Sequence, residues 1–397
     1  MTSELIAGLE IGTTRSVIAM AETLDTGKIK IVAQCSIPSS GVRKSVITQM
    51  SQATYSIESL LKSMSDQCGY TVADAHLLVS GPHIKCMPQI ETWALAGNTV
   101  TEDDINMIHN KALTSSVDSE DTKILDVNPY QYALDDAEEL SEPPVGMHGN
   151  ILKCYSLVIK GQQSHIKDAI ASAERAKLEI NDTSFAGFCA AMAVLANNDK
   201  RDGTLVIDLG GGTTSFTFWL NGYMPYANVI GVGGDHVTND ISHAFSINRD
   251  LAEKIKRAYA SAVMNESEGR IDIEKLIGNK NATISRRALN AVVNARMHEL
   301  FVIIRSELDA ANLLPKLNGK VILTGGGSAM SNVVELAESV FGRHAQIGKI
   351  VPEIEGLEGV ENPASYASIA GLLLQISNET SPKKSGLSKL FGWIAGK

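Results

Sequence analysis

Two short stretches place an acid directly ahead of a glycine-rich turn: Glu10 in "GLEIGTTR" and Asp208 in "DLGGGTT". Gly12, Thr13, Thr14 and Arg15 follow the first acid, and Gly210, Gly211, Gly212, Thr213 and Thr214 follow the second. Glycines let backbone N–H groups converge on one point, and threonine hydroxyls add donors, so each turn is a nest for an anion. A carboxylate beside such a nest repels a bare phosphate. It fits once a divalent cation lies between carboxylate and phosphate, directly or through water, as Mg2+ commonly does. Two such turns facing each other would clamp a polyphosphate from both sides. One copy reads equally well as a plain tight hairpin; two copies with matched acids favour the clamp.

The elements that must hold these turns repeat as well. "IAGLEIGTTRSVIAMAE" (6–22) and "TLVIDLGGGTTSFTFWLNG" (204–222) each run from an apolar stretch through acid and turn into an alternating strand. A polar break and a further strand follow in both, "KIKIVAQC" (28–35) and "PYANVIGV" (225–232). The repetition predicts a duplicated α/β core. A third stretch, "KVILTGGGSAMSNVVELAESVF" (320–341), reads as a strand, three glycines and an amphipathic helix whose N-terminus suits a nucleotide. No GxxxxGK[ST] loop occurs. "LAEKIKRAYA" (251–260) is helical by composition, with Glu253 and Lys256 on one face; spacing alone makes that a solvated face.

The chain has 397 residues, enough for two or more domains. A net charge of −10 argues against a general nucleic-acid binder, which would show a basic stripe. Five cysteines without a CxxC pair point to reduced thiols and a cytosolic setting. The N-terminus lacks the basic n-region of a signal peptide, and no stretch reaches the roughly 18 apolar residues that span a bilayer. The last fifteen residues, "KKSGLSKLFGWIAGK", carry four lysines and no acid. At about 100° per residue, Leu387, Leu390, Phe391 and Ile394 share one helical face with Trp393 at its edge. "SNETSPKKSG" just before them reads as a flexible linker. Trp393 and the lysines suit an anionic membrane surface.

The acid–Gly–Thr-Thr turn, the D-x-G-G-G-T-T turn and the T-G-G-G turn, in that order, resemble the actin–Hsp70–sugar kinase superfamily. "GGDHVTNDIS" (233–242), "AEKIKRAYA", "VILTGGGSAM" and "YASIAGLLL" (366–374) narrow the likeness to the bacterial cell-division FtsA family, from about Leu5 to Ile376. The middle of the chain agrees. After "LLVSGPHIKC" (77–86) come roughly 75 residues with an α+β pattern of their own, in which Thr101 and Asp104 make a capping-box-like helix start. They resemble the family's 1C subdomain, which joins neighbouring subunits in a filament and contacts later division proteins. The resemblance therefore implies an α/β fold with a duplicated actin-like (ribonuclease H-like) core around a nucleotide cleft, an inserted α+β 1C subdomain and a C-terminal amphipathic helix. The corresponding ranges are 1–83 and 361–376 for 1A, 84–161 for 1C, 162–234 and 319–360 for 2A, and 235–318 for 2B. A linker at 377–386 and a membrane-targeting helix at 387–397 complete them.

It also implies a site for ATP with Mg2+. Gly12 to Arg15 and Gly210 to Thr214 would line the phosphate loops, with Asp208 and Glu10 holding Mg2+ through water. Gly325, Gly326, Gly327 and Met330 would meet the adenosine, with Gly233 and Gly234 alongside and Glu253 and Lys256 near ribose and base. Arg296, and Arg287 after it, fall in the region that binds the C-terminal tail of FtsZ; on residue types alone they are solvated surface. The implied function is an actin-like protein that polymerises and tethers FtsZ filaments to the cytoplasmic face of the inner membrane at the septum. Two departures bear on catalysis: Gly187 and Ser215 stand where hydrolysing relatives often carry carboxylates, so at most slow ATP hydrolysis is implied. The alternative, a sugar-kinase-type enzyme of the same superfamily, needs a catalytic acid and has no use for the apolar tail.

Overall fold

The computed structural model describes residues 5–380 apart from 25, 116–120, 138–139, 265–268 and 275–282. The residues read as a membrane helix (Leu387, Leu390, Phe391, Trp393 and Ile394) lie outside the described residues.

The first half begins with an antiparallel meander, β1 (Leu5–Ile11), β2 (Arg15–Thr23) and β3 (Ile29–Pro38). A two-stranded ribbon, β4 (Val42–Arg43) and β5 (Val46–Ile47), leads into α1 (Met50–Cys68) and β6 (Asp74–Val79). The chain then leaves the sheet for an insert, β7 (Lys85–Ala94), α2 (Glu102–Ser115), β8 (Thr122–Leu134) and β9 (Ile151–Gln162), whose strands lie in the order β7-β9-β8. The expected cap at the start of α2 is present: Thr101 N–H and hydroxyl donate to Asp104, and Asp104 N–H donates back to Thr101 Oγ1. The chain returns through α3 (Gln163–Arg175) to β10 (Glu179–Phe185) and α4 (Ala186–Val194).

The second half repeats the plan. β11 (Thr204–Leu209), β12 (Thr214–Leu220) and β13 (Tyr223–Ile230) form a second antiparallel meander. α5 (Gly234–Phe245), α6 (Arg249–Tyr259), the small pair β14 (Arg270–Asp272) and β15 (Thr283–Ser285), and a helix over Arg286–Ala310 follow. β16 (Val321–Thr324) and β17 (Ala345–Ile347) join the second sheet in parallel. β18 (Ile354–Glu355) returns to the edge of the first sheet, and a helix over Ala367–Thr380 closes the described chain. Thus β3-β2-β1-β6-β10 in one half matches β13-β12-β11-β16-β17 in the other, strand for strand and direction for direction.

Three local expectations change. β2 and β12 are buried along nearly their whole length and do not alternate, because helices cover both faces of each sheet and small polar residues such as Ser16 and Thr217 line the second face. The glycines after β16 enter a 3-10 turn over Gly326–Ala329, and the α-helix starts only at Val333. The final helix runs on to Thr380, four residues into the stretch read as linker, and buries Ser377.

α4 is apolar on all sides and sits between the two sheets. The final helix packs on it so closely that a Cβ on Gly371 would lie 1.8 Å from the Cys189 carbonyl oxygen. These two helices join the halves behind the cleft.

Candidate functional site

Each meander presents its first turn to the other half. The turns close identically: Gly12 N–H donates to Arg15 O at 3.1 Å, and Gly210 N–H donates to Thr213 O at 3.0 Å. The register Ile11↔Ser16 in one half matches Leu209↔Thr214 in the other. Aligned this way, Thr13 and Thr14 form the tip of the first turn and Gly211 and Gly212 the tip of the second. The two Thr-Thr pairs are therefore not equivalent, although their letters match. Thr214 is buried at the start of β12, its hydroxyl committed to Val232 O at 2.8 Å.

The tips meet. A Cβ on Gly211 would lie 1.8 Å from Thr14 Oγ1, and one on Gly212 2.3 Å from Thr13 Oγ1. Threonines on one side fill the space that missing side chains leave on the other. Thr13 Oγ1 also accepts Ser45 N–H at 2.8 Å, and Ser45 Oγ lies 3.3 Å from Thr213 Oγ1.

At the base of the turns Glu10 lies close enough for its charge to bear on Asp208. Burial raises Glu10, against the pull of the Arg15 charge and a hydrogen bond from Ser368 Oγ. Burial pushes Asp208 up to about 7, with the Glu10 charge adding to it and Arg15 opposing. Two half-buried carboxylates that resist ionising together are a donor set wanting a cation. Among the described residues no cluster of three or more His, Cys, Asp or Glu could cage a metal. The pair therefore suits a hydrated Mg2+ that takes its remaining ligands from water and phosphate. Arg15 is engaged by the chain itself: its guanidinium donates to Ser365 O and lies 4.7 Å from the Tyr366 ring.

The second turn is braced from behind. Gly234 N–H donates to Gly210 O at 3.0 Å and Asp235 N–H to Gly211 O at 2.7 Å, so the start of α5 sits on the turn. Gly233 permits this, since its Cβ would lie 2.6 Å from both carbonyl oxygens. Lys256 Nζ donates to Gly234 O at 3.0 Å and pairs with Glu253 at 2.6 Å. Burial works to raise Glu253, but the Lys256 charge and hydrogen bonds from Lys256, Thr238 and Arg257 outweigh it and hold it below the usual range. The pair read as solvated surface is thus attached to the site. Gly325, at φ 79°, packs against Asp208, where a Cβ would lie 2.3 Å from Oδ1. Gly327 packs on Leu209, Gly326 faces open space, and Met330 is half-buried against the apolar cluster that includes Leu209 and Val333. Gly210, Gly211, Gly233 and Gly234 thus gather around the second turn with Asp208 and Gly325 at its base, and Lys256 reaches it through Gly234.

Gly187 and Ser215 prove to be a single contact. A Cβ on Gly187 would lie 2.9 Å from Ser215 Cβ and 2.7 Å from Phe185 Cζ. Gly187 has no room for a carboxylate unless its neighbours move, and both positions are buried.

The two arginines separate. Both lie on the Arg286–Ala310 helix, but nine residues apart they point to opposite sides of it. Arg296 donates to both oxygens of Asp240, at 2.7 and 3.1 Å, and to Glu299 at 2.6 Å. It borders a groove of ≈ 540 Å3 shared with Asp240, Val292, Ala295 and Glu299. Arg287 is exposed and has no ion pair among the described residues.

Two matching five-stranded units, each turning an acid and a hairpin toward a shared cleft, define the actin-like class. Solved structures agree on the fold: the PilM–PilN type IV pilus biogenesis complex aligns with a TM-score of 0.65 at 15% identity, covering 93% of this chain and 98% of that one. MreB5 of Spiroplasma citri bound to ADP aligns at 0.51 and 16%, covering 93% and 95%. The chain belongs to the cell division protein FtsA family. The family model for that protein matches residues 205–371, and one for the SHS2 domain inserted in it matches 81–160. The FtsA of Buchnera aphidicola subsp. Acyrthosiphon pisum is 30% identical over 382 residues, 93% of this chain and 90% of that one. That of Pseudomonas aeruginosa is 28% identical over 414 residues, 100% and 98% respectively.

Proposed function

We propose that the chain binds ATP with Mg2+ in the cleft between its halves, assembles with copies of itself, and tethers FtsZ filaments to the cytoplasmic face of the inner membrane through residues 387–397. The carrying observation is the meeting of the two glycine turns with Glu10 and Asp208 at their base, an arrangement that suits a cation and a phosphate. Asp208 and Glu10 would hold the Mg2+ through water, and the ion would neutralise phosphate charge there. The ADP bound by the MreB5 relative supports a nucleotide in the cleft. The packed Gly187–Ser215 contact supports a nucleotide used to set conformation more than to be turned over, because no acid stands there to activate a water. The insert is the surface proposed for self-association and for later division proteins. Mg·ATP titration of the purified chain by calorimetry tests the reading, which fails if no heat of binding appears.

The FtsZ tail is assigned to the groove beside Arg296. Its acid must compete with Asp240 and Glu299 for the guanidinium, so the contact is an exchange of partners and binding is modest. Arg296→Glu is expected to lower affinity for the tail peptide tenfold or more, with Mg·ATP affinity unchanged. Fluorescence anisotropy with the same affinity in both proteins would move the site elsewhere. Arg287 points away from this groove and is expected to tolerate the same change.

Among the described residues no helix is long and apolar enough to cross a membrane. Attachment is therefore assigned to the tail, whose five large apolar side chains gain roughly 1.5–3 kcal/mol each if fully buried, against about 1–2 kcal/mol per residue for ordering the backbone. Such a marginal anchor works once linked copies supply avidity. Trp393→Glu, or deletion from Leu387, should release the protein from anionic liposomes while leaving nucleotide binding intact. Co-sedimentation of the truncated chain at the full-length level would rule the tail out as the anchor.

A further inference from the structure

The β4–β5 ribbon turns through Lys44 and Ser45, both in the left-handed region at φ 50° and 58°. Two-residue turns of this kind favour Asn-Gly or Gly-Gly, because a side chain crowds the backbone at positive φ. Keeping a lysine and a serine at such positions is a strained choice, and strain of this sort clusters where a group must be delivered to a site. The ribbon delivers two groups to the cleft. Ser45 spans the anion turns, donating its N–H to Thr13 Oγ1 and placing its hydroxyl beside Thr213 Oγ1. By accepting from Ser45, Thr13 Oγ1 keeps its own proton free for an anion.

The Lys44 side chain reaches across from the first half to lie against Gly231 of the second half, with Pro82 alongside. A Cβ on Gly231 would sit 3.4 Å from Lys44 Nζ and 3.5 Å from its Cδ. Gly81 makes room for the ribbon from below, its Cβ position 3.3 Å from the Lys44 carbonyl oxygen. Lys44 is half-buried, and among the described residues no carboxylate or carbonyl accepts from its ammonium. The contrast with Lys256 is direct, since that amine is fully engaged with Glu253, Gly234 and Thr238. A half-buried, unpaired cation beside two anion turns implies an anion to complete it.

On the reading that the cleft takes a nucleotide, we infer that Lys44 binds the terminal phosphate and makes the site prefer the triphosphate to the diphosphate. The residues assigned to adenosine and ribose all come from the second half, whereas Lys44 enters from the first half. A terminal phosphate would hold Lys44 where it already bridges to the Gly231 loop, so the same contact couples the length of the phosphate chain to the closed arrangement of the halves. A diphosphate leaves the amine with nothing to meet.

The test is calorimetry on the full chain with Mg·ATP and with Mg·ADP. Lys44→Asn removes the charge while keeping a residue that tolerates positive φ, and Lys44→Arg keeps the charge. The Asn variant should bind ATP at least tenfold more weakly and ADP within twofold of wild type, with most of the ATP affinity retained in the Arg variant. Equal losses for both nucleotides, or no loss for either, would overturn the role of Lys44 while leaving the cleft as the nucleotide site. A wild-type chain that binds neither nucleotide would overturn the nucleotide reading and this inference with it. ADP affinity within twofold of wild type also shows that the Asn variant is folded.

Discussion

Replacing Asp208 with alanine should weaken Mg·ATP binding at least tenfold, about 1.4 kcal/mol. Asp208 ends β11, pinned between Gly325 and the turn it precedes, and its charge is resisted by burial and by Glu10. A divalent cation relieves that conflict, so most of the gain from the metal is realised at this carboxylate. The ligand-free protein should show the opposite trend. A carboxylate whose value rises from 3.8 to about 7 on folding holds its proton more tightly in the folded chain. Without ligand, the fold therefore loses stability as pH rises from about 4 through 7. Asp208→Asn cannot ionise and escapes that loss. Thermal melts without nucleotide should find the Asn variant close to wild type at pH 4 and more stable at pH 8. Unchanged ATP affinity in the Ala variant would remove Asp208 from the site; a constant gap between the melts would mean that its carboxyl titrates normally.

The second large effect should come from one methyl group. Gly211→Ala places a Cβ 1.8 Å from Thr14 Oγ1 and 3.0 Å from Thr14 Cβ. Turning the Thr14 side chain relieves the first clash but not the second, and the Thr14 backbone N is only 3.5 Å away. The halves must part, or one turn must deform. Either outcome spreads the two sets of anion donors, so nucleotide affinity should fall tenfold or more. Thr14→Gly should lower affinity in the wild-type background, because it removes a hydroxyl donor. In the Gly211→Ala background the same change should restore affinity, because it removes the obstacle. That reversal of sign in a double-mutant cycle is the diagnostic. Simple addition of the two losses would show that the tips do not meet when nucleotide is bound.

Much of this was legible in the sequence because it is local. An apolar strand, an acid, a glycine turn and a second strand fit within twenty residues, and their recurrence reveals the duplication without any long-range contact. The cap made by Thr101 and Asp104 spans three residues and reads directly. Misalignment of the Thr-Thr pairs escaped for the converse reason. Letters show which residues follow the acid, but the register shows where the turn closes, and Thr13–Thr14 lie at the tip whereas Thr214 lies in the strand. Lys44 gave no signal, since a ribbon of two-residue strands is too short for periodicity. The divergence of Arg287 and Arg296 was readable from a nine-residue spacing on a helix. The pairing of Arg296 with Asp240 was not, since it joins positions 56 residues apart on different helices. The Gly187–Ser215 contact likewise joins α4 to β12, and only the fold makes two departures one.

The complementary tips also carry a consequence for inheritance. The halves share a strand order, yet they are not interchangeable parts. Two threonine tips brought together would collide, and two glycine tips would leave a gap where the anion donors should be aligned. A substitution at either tip is therefore judged by its partner on the other half, so the two turns must drift as a pair. Chimaeras that join the first half of one relative to the second half of another should be tolerated when the tips travel together, and should fail at the cleft when they do not.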